Sequence, residues 1–423
     1  MKQNDTFRAF LREHASDDLN RLLLSASRYP GIDVPLAVEQ IAARRQIRDK
    51  LPAWYRNDTL YFPARMAAEQ CSSEATALYK AGLIAPGETL CDLTGGLGID
   101  TYYFSQRAAS VVYIERFAAY AEAARHNFAQ LGADNIRVME GDSTALFDTL
   151  ENVETFYIDP ARRGEGNRRV FALSDCQPDL TLLLPRLLEK APRVVAKLSP
   201  MADLKLTLDL LPGTVAVHIL SVRNECKELI FVIEKDAWNA AQEKDAGQDP
   251  ASAPVFSPLI NCVNFTASGK KETYSFTLAE ETNAPTLLAC SVGSYVYEPN
   301  ASILKAGAFK SIAARMQLNK LHVSSHLYTS DSRIADFPGR IFQVEEIIPF
   351  HGKNLKNITR ALPQANLTVR NFPLSADELR KRLKLKEGGD TYLLATTLAG
   401  GEKVLIRCVK PGALPSPAFQ ERP

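Results

Sequence analysis

The chain has 423 residues, 46% of them hydrophobic and 23% charged, which fits neither a single small module nor a wholly disordered polymer. Fifty Lys and Arg against 49 Asp and Glu leave a formal charge of +1, so a bulk basic footprint for nucleic acid is excluded and only a local one is open. No run approaches the roughly 18 apolar residues of a membrane span, and Met1-Lys2-Gln3-Asn4-Asp5 lacks the order of a secretory signal; a cytoplasmic location is expected. Seven scattered cysteines without a C-x-x-C pair, and no Cys/His cluster at ligand spacing, predict reduced thiols, no disulfide framework and no metal site.

From Thr6 to about Leu83, Leu and Ala recur at helical spacing, which predicts a helical N-terminal region over 1–83. After Pro86-Gly87, short β-rich runs alternate with amphipathic stretches: Thr89 to Leu93, Ser110 to Glu115, Ile136 to Glu140, Thr155 to Asp159, Arg193 to Leu198, Val215 to Val222 and Glu228 to Glu234. That alternation predicts a doubly wound α/β sheet over 84–236. Arg223 to Lys227 is too short for a crossover helix, so the last two runs should close the sheet as an antiparallel hairpin. The stretch 237–254, rich in Ala, Asp, Gln, Gly and Pro, reads as a linker. An α+β domain is expected over 255–336, with β-hairpins from Phe256 to Val292, a helix from Ala301 to Met316 and a strand from Leu321 to Tyr328. The last domain, 337–423, should run strand (Ile341 to Ile347), helix (Leu355 to Ala361), strand (Asn366 to Val369), a helix capped by Ser375 with Glu378, and a hairpin of Tyr392 to Thr397 with Lys403 to Val409.

The turn after the first strand reads Asp92-Leu93-Thr94-Gly95-Gly96-Leu97-Gly98-Ile99-Asp100. Glycines there let a backbone approach a ligand, but the order is not the G-x-G-x-x-G of dinucleotide enzymes, and tight strand-helix packing is the plain alternative. Glu115 ends the second strand, where a carboxylate accepts from ribose hydroxyls. Gly141-Asp142-Ser143 follows the third, with Asp142 placed to meet an adenine amine and Ser143 to cap the next helix. A strand end for Glu115 and a helix cap for Asp142 are the plain alternatives.

In this order the motifs resemble class I S-adenosylmethionine-dependent methyltransferases over roughly Gln70 to Lys235. The resemblance implies a Rossmann-like sheet, S-adenosylmethionine as cofactor, and cofactor contacts from Asp92, Thr94, Gly95, Gly96, Gly98, Asp100, Glu115, Arg116, Asp142 and Ser143. Gln70, Ser72 and Ser73, in Glu69 to Thr76, are similar to a segment that folds over the methionine end of the cofactor in several RNA methyltransferases; helix capping by Ser72 or Ser73 is the alternative.

Ile158-Asp159-Pro160-Ala161-Arg162 puts a carboxylate and a stiffened turn at the mouth of the fourth strand. A base amine is a poor nucleophile, and acceptors on its N–H bonds, the Asp159 carboxylate and Pro160 carbonyl, would turn its lone pair toward a methyl donor. This is similar to the D-P-P-R turns of nucleic-acid methyltransferases, with Ala161 for the second proline and Arg162 where an aromatic often stacks on the base. Lys197, at the end of the fifth strand, either orients the substrate or closes the strand; no cysteine stands there, which argues against a covalent C5 mechanism, with Cys226 the residue still to be placed. Arg162, Arg163, Arg168 and Arg169 suit phosphates flanking a target nucleotide, or a solvated loop.

Between Arg340 and Lys386 stand ten basic and four acidic residues, among them Arg380, Lys381, Arg382 and Lys384, a local electrostatic handle for RNA or a solvated basic helix. Phe350, Asn371 and Phe372 lie near them for base contact. The order of elements resembles the THUMP-like module that ends a family of bacterial methyltransferases, behind a small ferredoxin-like domain. The resemblance implies an enzyme that methylates an exocyclic base amine of tRNA or rRNA. A methyltransferase for a protein or small metabolite, and a non-catalytic cofactor-binding RNA-binding protein, are the alternatives.

Overall fold

The structure, a computed structural model, describes residues 5–162, 173–245 and 257–412 and divides into two units, 1–216 with 229–256 and 217–228 with 257–423. The first unit opens with α1 Asp5–Glu13, α2 Leu19–Leu24, α3 Val34–Ile47, α4 Pro52–Arg56, α5 Arg65–Gln70 and α6 Glu74–Ala81. Asp18 and Asp33 cap α2 and α3 by accepting from backbone N–H groups, and prolines occupy the first turns of α3 and α4, where no helical hydrogen bond is lost. Phe7, Phe10, Leu22, Val34 and Ile41 form the core of this leader.

Strands and helices then alternate: β1 Thr89–Asp92, α7 Ile99–Ser105, β2 Ser110–Glu115, α8 Ala118–Gln130, β3 Ile136–Glu140, α9 Ser143–Leu146 and β4 Thr155–Ile158. A short pair follows, β5 Ala161–Arg162 with β6 Cys176–Gln177, then α10 Leu180–Lys190, β7 Arg193–Leu198, α11 Leu204–Leu210, β8 Thr214–Val222, β9 Glu225–Glu234 and α12 Lys235–Asp245. β1 pairs in parallel with β2 and with β4, β2 with β3, β4 with β7, and β9 runs antiparallel to β7. The chain lays β2 and β3 on one side of β1 and then crosses to β4 on the other, and an open α/β sheet binds its ligand at such a reversal, outside the C-terminal strand ends. The leader docks on this sheet through α8, where the Asn127 amide accepts from the Tyr61 N–H and donates to the Tyr61 carbonyl, both at 2.8 Å.

The β8–β9 hairpin turns at Arg223-Asn224, whose φ values of 52° and 63° are those a tight two-residue hairpin demands. The stretch read as a linker from residue 237 begins instead as α12, with Ala237 buried and Trp238 against Gly213; good helix formers outweighed the linker-like composition. Residues 246–254 lie outside the described residues.

The second unit holds the antiparallel pair β10 Leu259–Phe265 and β11 Lys271–Thr277, then α13 Leu278–Asn283, a helix not expected from the sequence and fixed by a Thr277/Glu280 capping box. β12 Tyr295–Pro299 follows. The helix expected from Ala301 to Met316 is broken into α14 Ala301–Ala306 and α15 Ser311–Arg315, because Gly307 takes a left-handed φ of 77° and ends the first. The strand expected from Leu321 to Tyr328 is also absent: only β13 Asn319–Lys320 and β14 Tyr328–Ser330 pair, with His326 between them at φ 54°.

β15 Gly339–Pro349, α16 Gly352–Ala361, β16 Asn366–Arg370, α17 Ala376–Leu383, β17 Tyr392–Thr397 and β18 Lys403–Val409 complete the chain, with α17 held by the expected Ser375/Glu378 box. β15 pairs β12 with its first half and β18 with its second, so the strands from β12 onward form one sheet, β13-β14-β12-β15-β18-β17-β16. Leu355, Ile358, Leu379 and Leu383 of α16 and α17 pack on one face, and Val296, Leu321 and Leu327 lie in the core of the other.

Candidate active site

A cavity of about 570 Å³ opens at the C-terminal ends of β1, β2 and β4. The turn from β1 to α7 forms its floor. Asp92, 1% exposed, accepts from the Thr94 N–H (3.0 Å) through Oδ1 and from the Thr101 hydroxyl (2.6 Å) through Oδ2. Burial, outweighing those bonds, raises its pKa to about 7. Its carboxylate therefore shapes the turn.

The glycines divide their work. A Cβ on Gly95 would lie 2.1 Å from the ring of buried Tyr113, and Gly98, at φ 75°, faces Phe128 and does not line the cavity; both make room for aromatic packing. Gly96 alone of the three faces open space, with nothing nearer than 3.9 Å. The Glu115 carboxylate accepts from the Gly96 N–H and the Phe117 N–H, each at 2.8 Å, and so clips the turn to the end of β2. Exposed Arg116 lies over the Phe117 ring at 4.7 Å, and both line the cavity with Tyr120.

Asp142 and Ser143 line the far side. The expected cap is corrected: Asp142, not Ser143, caps α9, accepting from Thr144, a bond that also holds its pKa below the usual carboxylate range. On the near side, Gln70 is exposed at the end of α5 and Ser72 is buried, both on the cavity, whereas Ser73 turns away to cap α6 through Thr76. Ser72 donates to Asp100 Oδ2 at 2.9 Å. Lys80 Nζ (2.8 Å) and Tyr157 OH (2.7 Å) donate to the same oxygen. Burial pushes the Asp100 pKa up, but Lys80, Lys197 and these bonds outweigh it and hold it below the usual range.

Asp159 emerges from β4 half-buried, with its backbone N–H donated to Thr94 Oγ1 at 2.7 Å, so the cofactor-type turn and the fourth-strand turn are bonded to each other. Lys197 forms an ion pair with Asp159 Oδ2, and both line the cavity. Pro160 is buried and does not, while Ala161 does. Arg162, expected on a loop, lies in β5 paired with Cys176; Arg163, Arg168 and Arg169 lie outside the described residues. Cys226 is a poor nucleophile, its thiol pushed up to about 11 by burial. No His/Cys/Asp/Glu group among the described residues could hold a metal, and no described helix is long and apolar enough to cross a membrane.

Lys80, Tyr157, Phe117 and Tyr120 escaped the sequence reading. For Lys80 a signal existed: Thr76, Ala77, Lys80 and Ala81 form the buried stripe of α6, and a lysine on an apolar stripe needs a buried partner.

In the second unit the basic stretch is partly consumed internally. Arg340 and Arg370 both bind the buried carboxylate of Glu298, at 2.7 and 2.9 Å, and Arg380 pairs with Glu387. Phe350 and Phe372, expected near RNA, pack edge to face on each other at 4.8 Å, with the Arg382 guanidinium 5.3 Å from the Phe350 ring centre. Lys381, Arg382 and Lys384 remain exposed at the end of α17.

A parallel sheet reversing beside β1, an acidic residue closing β2, an antiparallel arm at β9 and a cavity at the reversal define the S-adenosylmethionine-dependent methyltransferase class. The cavity fits that cofactor: its volume is in the range of small-molecule sites, Gly96 leaves the backbone approachable, and Asp100 Oδ1 is buried without a hydrogen-bond partner among the described residues. A crystal structure from Porphyromonas gingivalis, described as a methyltransferase, is 36% identical, with a TM-score of 0.83 over 96% of this chain and 98% of that one. An uncharacterized S-adenosylmethionine-dependent methyltransferase of Mycobacterium tuberculosis is 25% identical over 378 residues, 88% of this chain and 95% of its own. A protein-L-isoaspartate O-methyltransferase of Methanoregula boonei is 41% identical over 59 residues, 14% of this chain and 27% of its own. Residues 295–338 match a ferredoxin-like domain family and residues 339–410 a THUMP domain-like family. The chain belongs to the family of S-adenosylmethionine-dependent methyltransferases that carry a C-terminal THUMP-like domain.

Proposed function

We propose that this methyltransferase acts on RNA, on an exocyclic base amine held against Asp159. The observation that carries the reading is the bond from the Asp159 N–H to Thr94, which sets an acceptor-binding carboxylate beside the cofactor turn in one cavity. S-adenosylmethionine supplies a methyl group on a sulfonium, open to in-line displacement. Gly96, Glu115 and Arg116 hold the adenosine; Asp142 and Ser143 meet its base; Gln70, Ser72 and Asp100 face the amino-acid end. Asp92, Thr94, Gly95, Gly98 and Ser73 keep the surrounding backbone in place. Asp159 draws the acceptor's N–H bonds and Lys197 fixes the carboxylate. The Lys197 ammonium beside Asp159 also favours a second acceptor, a hydroxyl, whose proton would pass to the Asp159 carboxylate while the ammonium stabilises the negative charge developing on the oxygen.

Mass spectrometry of RNA nucleosides from a deletion strain tests the reading: a missing base-methylated nucleoside supports the amine, and a missing ribose-methylated one the hydroxyl. An unchanged nucleoside set would favour a protein or metabolite substrate. For the cofactor, Glu115→Ala should weaken S-adenosylhomocysteine binding by about 1–3 kcal/mol in calorimetry, the scale of lost charge-assisted hydrogen bonds. Unaltered affinity would reduce Glu115 to a clip for the turn.

The THUMP-like match and the exposed Lys381, Arg382 and Lys384 support an RNA handle in the second unit. Neutralising these three should lower the slope of log affinity against log salt by up to about 0.9 for each phosphate that then goes unneutralised. The same slope in a folded variant would remove the electrostatic role. Side-chain neutralisation is the cleaner test, because deletion from Phe337 would strip β15 and β18 from the sheet that covers Val296 and Leu327.

A further inference from the structure

Lys80 is a fully buried cation that the proposed reaction leaves unused. It is 0% exposed, on a helix otherwise buried through Thr76, Ala77 and Ala81, and it donates to Ser72 Oγ at 2.7 Å and Asp100 Oδ2 at 2.8 Å. With Ser72 and Tyr157 it brings three donors to one carboxylate oxygen, while the other, Oδ1, is buried with no hydrogen-bond partner among the described residues. Asp100 lines the cavity. A buried carboxylate oxygen without a donor is costly, and it is expected where a ligand completes the bond.

We propose that Lys80 is a positioning residue for the amino-acid end of the cofactor: it saturates Oδ2 of Asp100, so that Oδ1 is presented to the cavity to accept from an ammonium group. The ligand chemistry is specific. An ionised carboxylate whose second oxygen is dry favours a cationic donor over a neutral one. Lys80 touches no ligand and acts through Asp100. Without its ammonium, burial drives Asp100 toward the protonated form, which no longer attracts a cation.

The assignment rests on the cofactor reading and is independent of the methyl acceptor, so its test uses no RNA. Two ligands are titrated calorimetrically into the full-length protein: S-adenosylhomocysteine, and 5′-methylthioadenosine, which lacks the amino-acid end. In Lys80→Met the Kd for S-adenosylhomocysteine should rise about 10- to 100-fold, and that for 5′-methylthioadenosine should stay within about threefold. Asp100→Asn should show the same split. The double variant Lys80→Met/Asp100→Asn, which leaves no unpaired buried charge, should be no worse than Asp100→Asn alone, because two residues acting through one interaction are not additive. Equal loss of both ligands in the double variant, additive losses, or no loss of S-adenosylhomocysteine affinity would each overturn the proposal and leave Lys80 a packing residue, with a water completing Asp100. If the wild-type protein binds neither ligand, the cofactor reading itself falls and the Lys80 assignment with it.

Discussion

Asp159→Ala should cut methyl transfer by a factor of about 10²–10³ while cofactor affinity stays within a few-fold of wild type, the pattern of a missing transition-state partner. The separation of effects follows from the geometry. Residue 159 touches the cofactor turn through its backbone N–H to Thr94, which alanine keeps, whereas its side chain bonds to Lys197. A tritiated-methyl assay on RNA from a deletion strain, with calorimetry on the same preparations, measures both. Lys197→Met gives the companion result: if Lys197 works by fixing the carboxylate, its removal on top of Asp159→Ala should add little. Full turnover in Asp159→Ala would make Asp159 only the end of β4, and a fall in cofactor affinity matching the fall in rate would place it in the binding site.

What the sequence made legible was the periodic and the local. The strands of the parallel sheet fall where short runs rich in β-branched residues stand between amphipathic stretches, β2, β3 and β7 at the expected residues. Capping boxes are local too, and Ser375 with Glu378 could be read directly. Elements decided by a single torsion or by distant pairing were not legible: Gly307 breaks a helix that composition would continue, and Leu321 and Leu327 are apolar because they fill a core, not because they form a strand. At the site, residue types were visible but not their allegiances. Glycines read as ligand-facing divide between two whose missing Cβ makes room for aromatic rings and one, Gly96, whose Cβ would meet open space, and basic residues read as an RNA handle include Arg340 and Arg370, bound to buried Glu298. Charge counted along a chain cannot tell a free cation from one whose partner comes from a strand some forty residues or more away. Tyr157 and Lys80 were hidden for the opposite reason, being polar groups in buried positions whose function depends on Asp100, which they meet only in the fold.

Asp92 makes stability depend on pH in an unusual direction for a carboxylate. Burial raises its folded pKa from 3.8 to about 7, so the folded protein holds a proton that the unfolded chain releases. The sign follows: the contribution is full below about pH 4, declines as pH rises toward 7, and is gone above it. Between about pH 5 and pH 8 the loss is on the order of 3 kcal/mol, from about 1.36 kcal/mol for each pH unit between 5 and 7. Asp92→Asn removes the titration and keeps a carbonyl oxygen for the Thr94 N–H, while the Thr101 hydroxyl can accept from the new amide. Urea unfolding of both proteins at pH 5 and pH 8 should therefore show the variant gaining on wild type by about that amount as pH rises. A difference that is the same at both pH values would show that Asp92 stays ionised throughout, its charge carried by Thr94 and Thr101 alone. The same titration bears on binding, because Asp92 holds the backbone of Thr94 and hence the Thr94–Asp159 bond; if the turn needs the ionised form, cofactor affinity in wild type should rise through pH 7 while Asp92→Asn shows no such step.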